Sequence, residues 1–89
     1  MSTFELKISS PDGIVFEGNA VSLSVRGIEG DLAILADHIP FITTVVECVC
    51  KMLFEDGSEN TGSVGGGILS VADNKVTLLS SSFAWEKGE

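Results

Sequence analysis

Gly27-Ile28-Glu29-Gly30-Asp31-Leu32-Ala33-Ile34-Leu35-Ala36-Asp37-His38-Ile39-Pro40 gathers two glycines, the only histidine and one of the two prolines around a short apolar run. Gly27 and Gly30 read as a tight reversal, because glycine reaches positive φ without a Cβ clash. Leu32-Ala33-Ile34-Leu35 reads as a short, largely buried strand. Asp37-His38-Ile39-Pro40 closes it in a loop: the residue before a proline is held extended, and proline has no amide hydrogen to give a ladder. Reversal, strand and loop within fourteen residues are β architecture. They leave a polar corner on a rigid strand, with the Asp31 carboxylate at one end and the His38 imidazole at the other. Function lies more often on such connections than on the strands beneath them.

The same grammar extends outward in both directions. Phe4, Leu6 and Ile8 alternate with Glu5, Lys7 and Ser9, the period of a half-buried strand. Ser10-Pro11-Asp12-Gly13 is a turn, Ile14 to Glu17 resumes a strand, and Gly18-Asn19 breaks it. Val21, Leu23 and Val25 alternate with Ser22, Ser24 and Arg26. Beyond Pro40, Phe41 to Val46 is β-branched and aromatic, and Cys48, Cys50, Met52 and Phe54 share one face of the next strand. Glu55-Asp56-Gly57-Ser58 is a hairpin connection. Glu59 to Val64 forms the return strand, interrupted at Gly65-Gly66-Gly67. Ile68 to Val71, Val76 to Leu79 and a stretch between Ser80 and Trp85 complete the series. Apolar spacing of three and four never persists long enough for a helix. The fold class is all-β: one domain over residues 1–89, an eight- to ten-stranded sandwich or flattened barrel.

Bulk composition narrows the partners. The chain has 89 residues, 44% of them hydrophobic and 20% charged, and carries a formal net charge of −8 from 13 acidic and 5 basic residues. Roughly 60–65% of the unfolded surface of a domain this size is buried on folding, enough for a core of its own. The negative balance argues against nucleic acid and anionic membrane surfaces. No apolar run reaches the roughly 20 residues that span a bilayer, and Met1 to Glu5 lacks the pattern of a secretory signal. A cytosolic, reducing setting is expected. Cys48 and Cys50, two apart on one strand face, would place their Cα atoms roughly 6.5–7 Å apart, at or beyond the limit for a disulfide, so free core-facing thiols are expected.

The chemistry-bearing residues give little for catalysis. A phosphate cradle at Gly65–Gly67 would need a following lysine, a hydroxyl residue and a helix, whereas Ile68-Leu69 follows, so a bulge or close backbone approach is expected. His38 has carboxylate neighbours but no nucleophile and no second histidine, which favours a turn or a partner contact over acid–base or metal chemistry. Phe83-Ala84-Trp85 is either a ligand-stacking platform or the closure of one end of the core. From composition and spacing alone the reading is an acidic, non-enzymatic binding module.

Several stretches together resemble one family. Gly27-x-x-Gly30 with Asp31-Leu32-Ala33-Ile34-Leu35-x-x-His38-x-Pro40-Phe41 resembles the hallmark segment of the epsilon subunit of F-type ATP synthase. Gly66-Gly67-Ile68-Leu69-Ser70-Val71 and Thr77-Leu78-Leu79-Ser80 resemble its second and third signatures. Phe4 to Ser10 and Val15-Phe16-Glu17-Gly18 fit as well, so the likeness runs from about residue 4 to 85. Cys48, preceded by Glu47, departs from a glycine that usually opens that strand. The family's sandwich is commonly followed by a helical hairpin, and this sequence stops at Glu89. It is therefore either a piece of a longer chain or a member without the hairpin.

The resemblance implies a ten-stranded sandwich in the central rotor stalk. It implies a peripheral position on the cytoplasmic side of the inner (plasma) membrane, with no direct insertion. The implied partners are the gamma subunit and the polar loops of the c-ring, with no cofactor, no metal and no catalysis. The role implied is coupling proton-driven rotation to ATP synthesis. By position, Gly30, Asp31, Leu32, Asp37, His38 and Pro40 form the foot that meets these partners. Lacking the hairpin, the chain is expected neither to bind ATP nor to inhibit hydrolysis. The competing class is a freestanding carbohydrate-binding sandwich, with an enzyme third.

Overall fold

Alternating side chains become two stacked layers in the computed structural model, which describes residues 2–86. The strands are β1 (Phe4–Ser10), β2 (Gly13–Ala20), β3 (Ser22–Gly27), β4 (Gly30–Leu35), β5 (Phe41–Val45), β6 (Cys48–Leu53), β7 (Glu59–Val64), β8 (Gly67–Ala72), β9 (Lys75–Ser80) and β10 (Phe83–Glu86). Among the described residues there is no helix. Ten strands match the upper end of the expected count. The last strand, β10, runs one residue past the expected Trp85 to Glu86, and residues 87–89 lie outside the described residues.

The ladder runs β10-β7-β6-β3-β5-β8-β9-β1-β2, with β4 added on β3. Between β3 and β5 it narrows to the pair Gly27↔Val45, and there it folds over. One layer is β10-β7-β6-β3-β4 and the other β5-β8-β9-β1-β2. Pairing is antiparallel except between β1 and β9, where the first strand lies parallel to the ninth. That pairing joins the two ends of the chain, which no local pattern can announce.

Inward positions supply the core: Phe4, Leu6 and Ile8 from β1, Leu23 and Val25 from β3, Cys50 and Met52 from β6, Leu69 and Val71 from β8, and Val76 and Leu78 from β9. Each fully buried Leu, Ile or Phe contributes about 1.5–3 kcal/mol over exposure, so these alternating positions carry the fold. Gly65–Gly67 is the expected close approach. A Cβ on Gly67 would overlap the Leu79 carbonyl oxygen, one on Gly65 would overlap the Ser82 hydroxyl, and Gly66 sits at φ 98°.

Two expectations need correcting. The run Leu32 to Leu35 is not largely buried: only Ile34 is, and Leu35 is 56% exposed. The reason is that a sandwich covers only one face of each strand: Ile34 points inward while Ala33 and Leu35 face out, as Ile68 and Leu79 do in the central strands β8 and β9. Gly18-Asn19 does not break the second strand either; the pairs Leu6↔Gly18 and Glu5↔Asn19 carry the ladder through to Ala20. Gly18 survives inside the strand because the Phe16 ring covers it, 3.2 Å from where a Cβ would lie.

Candidate functional site

The corner is built by the β3–β4 hairpin and the connection from β4 to β5. Gly27 and Gly30 form the last pair before the two-residue loop Ile28-Glu29, and Gly30 takes φ 130°, as the sequence requires of a glycine there. The Ile28 amide donates to the Thr44 carbonyl and the Val46 amide to the Arg26 carbonyl, both at 3.0 Å, so the hairpin is stitched to the start of the second layer. Directly opposite Arg26 across the ladder lies Asp31, and the Arg26 Nε donates to Asp31 Oδ1 at 2.9 Å. This hydrogen bond and the carboxylate's charge raise the Arg26 guanidinium above its ordinary pKa.

At the far end of β4 the chain turns through Asp37, which adopts a left-handed φ of 62°. Its amide donates to the Asn74 side-chain oxygen at 2.7 Å. The His38 ring lies against the Phe41 ring with centroids 4.9 Å apart, and its Nδ1 is 2.8 Å from the Ile39 carbonyl oxygen. A carbonyl only accepts, so in the neutral ring Nδ1 carries the proton and Nε2 is left as the acceptor. Between Gly30–Leu32 of β4 and Phe41–Thr43 of β5 runs a groove of about 450 Å³.

The six residues expected at the foot therefore form two groups. Gly30, Asp31 and Leu32 lie at the hairpin, and Asp37, His38 and Pro40 lie beyond the other end of β4. From Asp31 to Leu35 alone the strand spans about 13 Å. Asp31 binds Arg26 and not His38, and this separation leaves no acid–base pair between carboxylate and imidazole. All six are exposed or half-buried. Three isoleucines set among them, Ile28, Ile39 and Ile42, are 66%, 73% and 70% exposed, giving the polar corner an apolar rim.

Sequence reading passed over Arg26, Asn74 and this rim. Arg26 had a usable signal, since two residues flanking a Gly-x-x-Gly reversal must face each other across the ladder. Asn74 had none, being 37 residues from Asp37.

Elsewhere the chemistry is quiet. Cys50 is buried and Cys48 half-buried, both are free, and burial with the neighbouring Cys48 pushes the Cys50 thiol up to about 11. Trp85 meets Phe83 and Phe16 edge-on, with centroids 5.0 and 6.3 Å away, and Phe16 in turn meets Phe54 at 5.5 Å. Phe83 packs against the core, as the closure reading expects, while Trp85 stays 43% exposed. Among the described residues, no group of three His, Cys, Asp or Glu is placed to hold a metal ion, and no helix is long and apolar enough to cross a membrane.

The fold sets the class: a ten-stranded β-sandwich, antiparallel but for one pair, with polar side chains presented from a corner between its layers. More specifically, the chain belongs to the family described as ATP synthase, Delta/Epsilon chain, beta-sandwich domain, which matches residues 3–86. It is 36% identical over 83 residues to the sodium-ion-specific ATP synthase epsilon chain of Acetobacterium woodii, covering 93% of this chain and 62% of that one. To the ATP synthase epsilon chain of an Exiguobacterium species it is 35% identical over 79 residues, covering 89% and 58%. The chain thus spans about three-fifths of the length of these relatives. Its fold is shared with a chain in the mitochondrial ATP synthase OSCP/F1/c-ring structure of Euglena gracilis (TM-score 0.90, 17% identity, 96% of this chain and 54% of that one). It is also shared with a chain in the central stalk/c-ring structure of the Tetrahymena thermophila mitochondrial enzyme (TM-score 0.76, 16% identity, 90% and 64%).

Proposed function

We propose that this chain is the sandwich part of a rotor subunit in the central stalk of an F-type ATP synthase. It docks on the gamma subunit and the polar loops of the c-ring, and couples ion-driven ring rotation to ATP synthesis while catalysing nothing itself. Membership of the epsilon family across residues 3–86 carries this reading. The corner supports it physically. A rotor foot must hold its shape under load, and here the contact residues flank strands locked into both layers. Gly30, Asp31, Leu32, Asp37, His38 and Pro40 are the proposed contacts, with the isoleucine rim supplying apolar area. A net charge of −8 suits partner loops that carry basic residues. In this role the protein sits at the membrane periphery, on the cytoplasmic side.

The test is capture of a gamma–c-ring complex by the wild-type chain and by Asp31→Lys. Weaker capture by the variant, with its fold kept, is the expected result. Equal capture by both, or no capture by the wild type, overturns the reading.

A further inference from the structure

We propose that Asn74 is a positioning residue for the corner, a side-chain strut that holds the Asp37–His38 turn against the second layer. Asn74 lies in the two-residue turn between β8 and β9, where Asp73 and Asn74 both take left-handed backbone, φ 53° and 60°. Such a turn is served at least as well by glycine at its second position. The side chain therefore answers to something other than the turn. Its oxygen accepts the Asp37 amide at 2.7 Å, while its nitrogen donates to the Thr3 carbonyl at 2.9 Å. Its own carbonyl accepts the Glu5 amide at 3.1 Å. One residue thus binds three segments: the entry to β1, the β8–β9 turn and the functional corner.

The corner needs such a clamp. Asp37 is held at φ 62°, which costs a non-glycine residue about 1–2 kcal/mol and persists only where surrounding contacts enforce it. The turn at Asp37 also sets where His38 lies against Phe41. Losing the Asn74 acceptor frees Asp37 to leave the left-handed region, and His38 moves with it. The importance of this for docking rests on the interface proposed above; the positioning itself does not.

The experiment follows amide hydrogen exchange by NMR in the 89-residue chain for wild type, Asn74→Gly and Asn74→Asp. Glycine keeps the turn and removes both side-chain bonds, whereas aspartate keeps the acceptor for Asp37. In Asn74→Gly, exchange at Asp37 should accelerate at least about tenfold more than at the core amides of Leu23 and Ile34, and the His38 ring resonances should lose the shift imposed by Phe41. Asn74→Asp should restore slow exchange at Asp37. Referring the change to core amides removes any general loss of stability. An unchanged Asp37 rate in Asn74→Gly, or one that rises only in step with the core, overturns the proposal. Asp31→Lys touches neither Asn74 nor Asp37, so its effect on stalk capture tests the docking reading independently of this result.

Discussion

Two glycine-bearing regions, Gly27–Pro40 and Gly65–Gly67, use the same residue for opposite ends. In the triplet the absent side chains make room inward: Gly67 lies against the Leu79 carbonyl and Gly65 against the Ser81 and Ser82 hydroxyls, so two strands and a loop close over one another. At the hairpin, a Cβ on Gly30 would meet nothing within 4 Å, and what glycine supplies is backbone freedom at φ 130°. That freedom turns charged and apolar side chains outward around a rigid strand. Glycine in the Gly65–Gly67 triplet is a packing residue, and at Gly30 it is what presents a surface. The glycine content of a motif does not by itself mark function; what surrounds the missing Cβ does.

The largest expected effect follows from that contrast. Gly67→Ala drives a methyl group into a backbone carbonyl that a β-ladder holds in place, so it should cost at least about 4 kcal/mol or prevent folding. Gly30→Ala meets only backbone strain at φ 130° and should cost about 1–3 kcal/mol. Urea denaturation of the two variants ranks them directly, and equal costs would break the comparison.

A second measurement asks how dry the packed side of the molecule is. Cys50 lies in the core opposite Gly62, and its thiol is pushed up to about 11 against an ordinary value near 9. With the folded value above the unfolded one, its contribution is fully present below pH 9 and is lost as pH rises toward 11. At about 1.4 kcal/mol per unit, stability should fall by about 2–3 kcal/mol across that window. Cys50→Ala should flatten this part of the alkaline slope while lowering stability at neutral pH. An identical slope in both chains would mean that water reaches the thiol.

The packed side was readable in the sequence because its signal is local. Phe4-x-Leu6-x-Ile8 and Cys48-x-Cys50-x-Met52 assign faces by period alone, and their burial follows. Leu32 to Leu35 misled because an unbroken apolar run looks the same in a strand covered on both faces and in one covered on a single face; here only one face is covered, so Ile34 is buried and Leu35 is not. The pairing of β1 with β9 and the bond from Asp37 to Asn74 are equally invisible locally, each set by closure of the whole sandwich. At the corner the turn was legible from Gly27, Gly30 and Pro40, and the foot positions came from resemblance. The grouping of those positions at the two ends of β4, and the pairing of Asp31 with Arg26, needed three dimensions.

The smallest effects sharpen the comparison most, because they separate exposed turns from one another. Glu55–Ser58 is exposed and acidic like the corner, yet its carboxylate is turned on itself: Asp56 Oδ1 accepts the Ser58 amide at 2.9 Å and the Ser58 hydroxyl at 2.6 Å. These two bonds hold the Asp56 carboxyl below its ordinary range. With the folded value lowered, the contribution is present above the ordinary aspartate value of about 4 and disappears as pH falls through the folded one. Asp56→Ala should therefore lose a little stability at neutral pH and show a shallower acid limb. At the corner, Asp31→Lys loses the exposed Arg26 pair and sets like charges opposite each other, so it should cost about 1 kcal/mol while the fold is kept. The two turns part in docking. Asp56 lies in a turn outside the proposed contact residues, so Asp56→Lys should capture the gamma–c-ring complex as wild type does. Asp31→Lys reverses a charge at the proposed contact and should not. Equal loss of capture in both variants would assign the docking to overall negative charge, and the corner would lose its special standing.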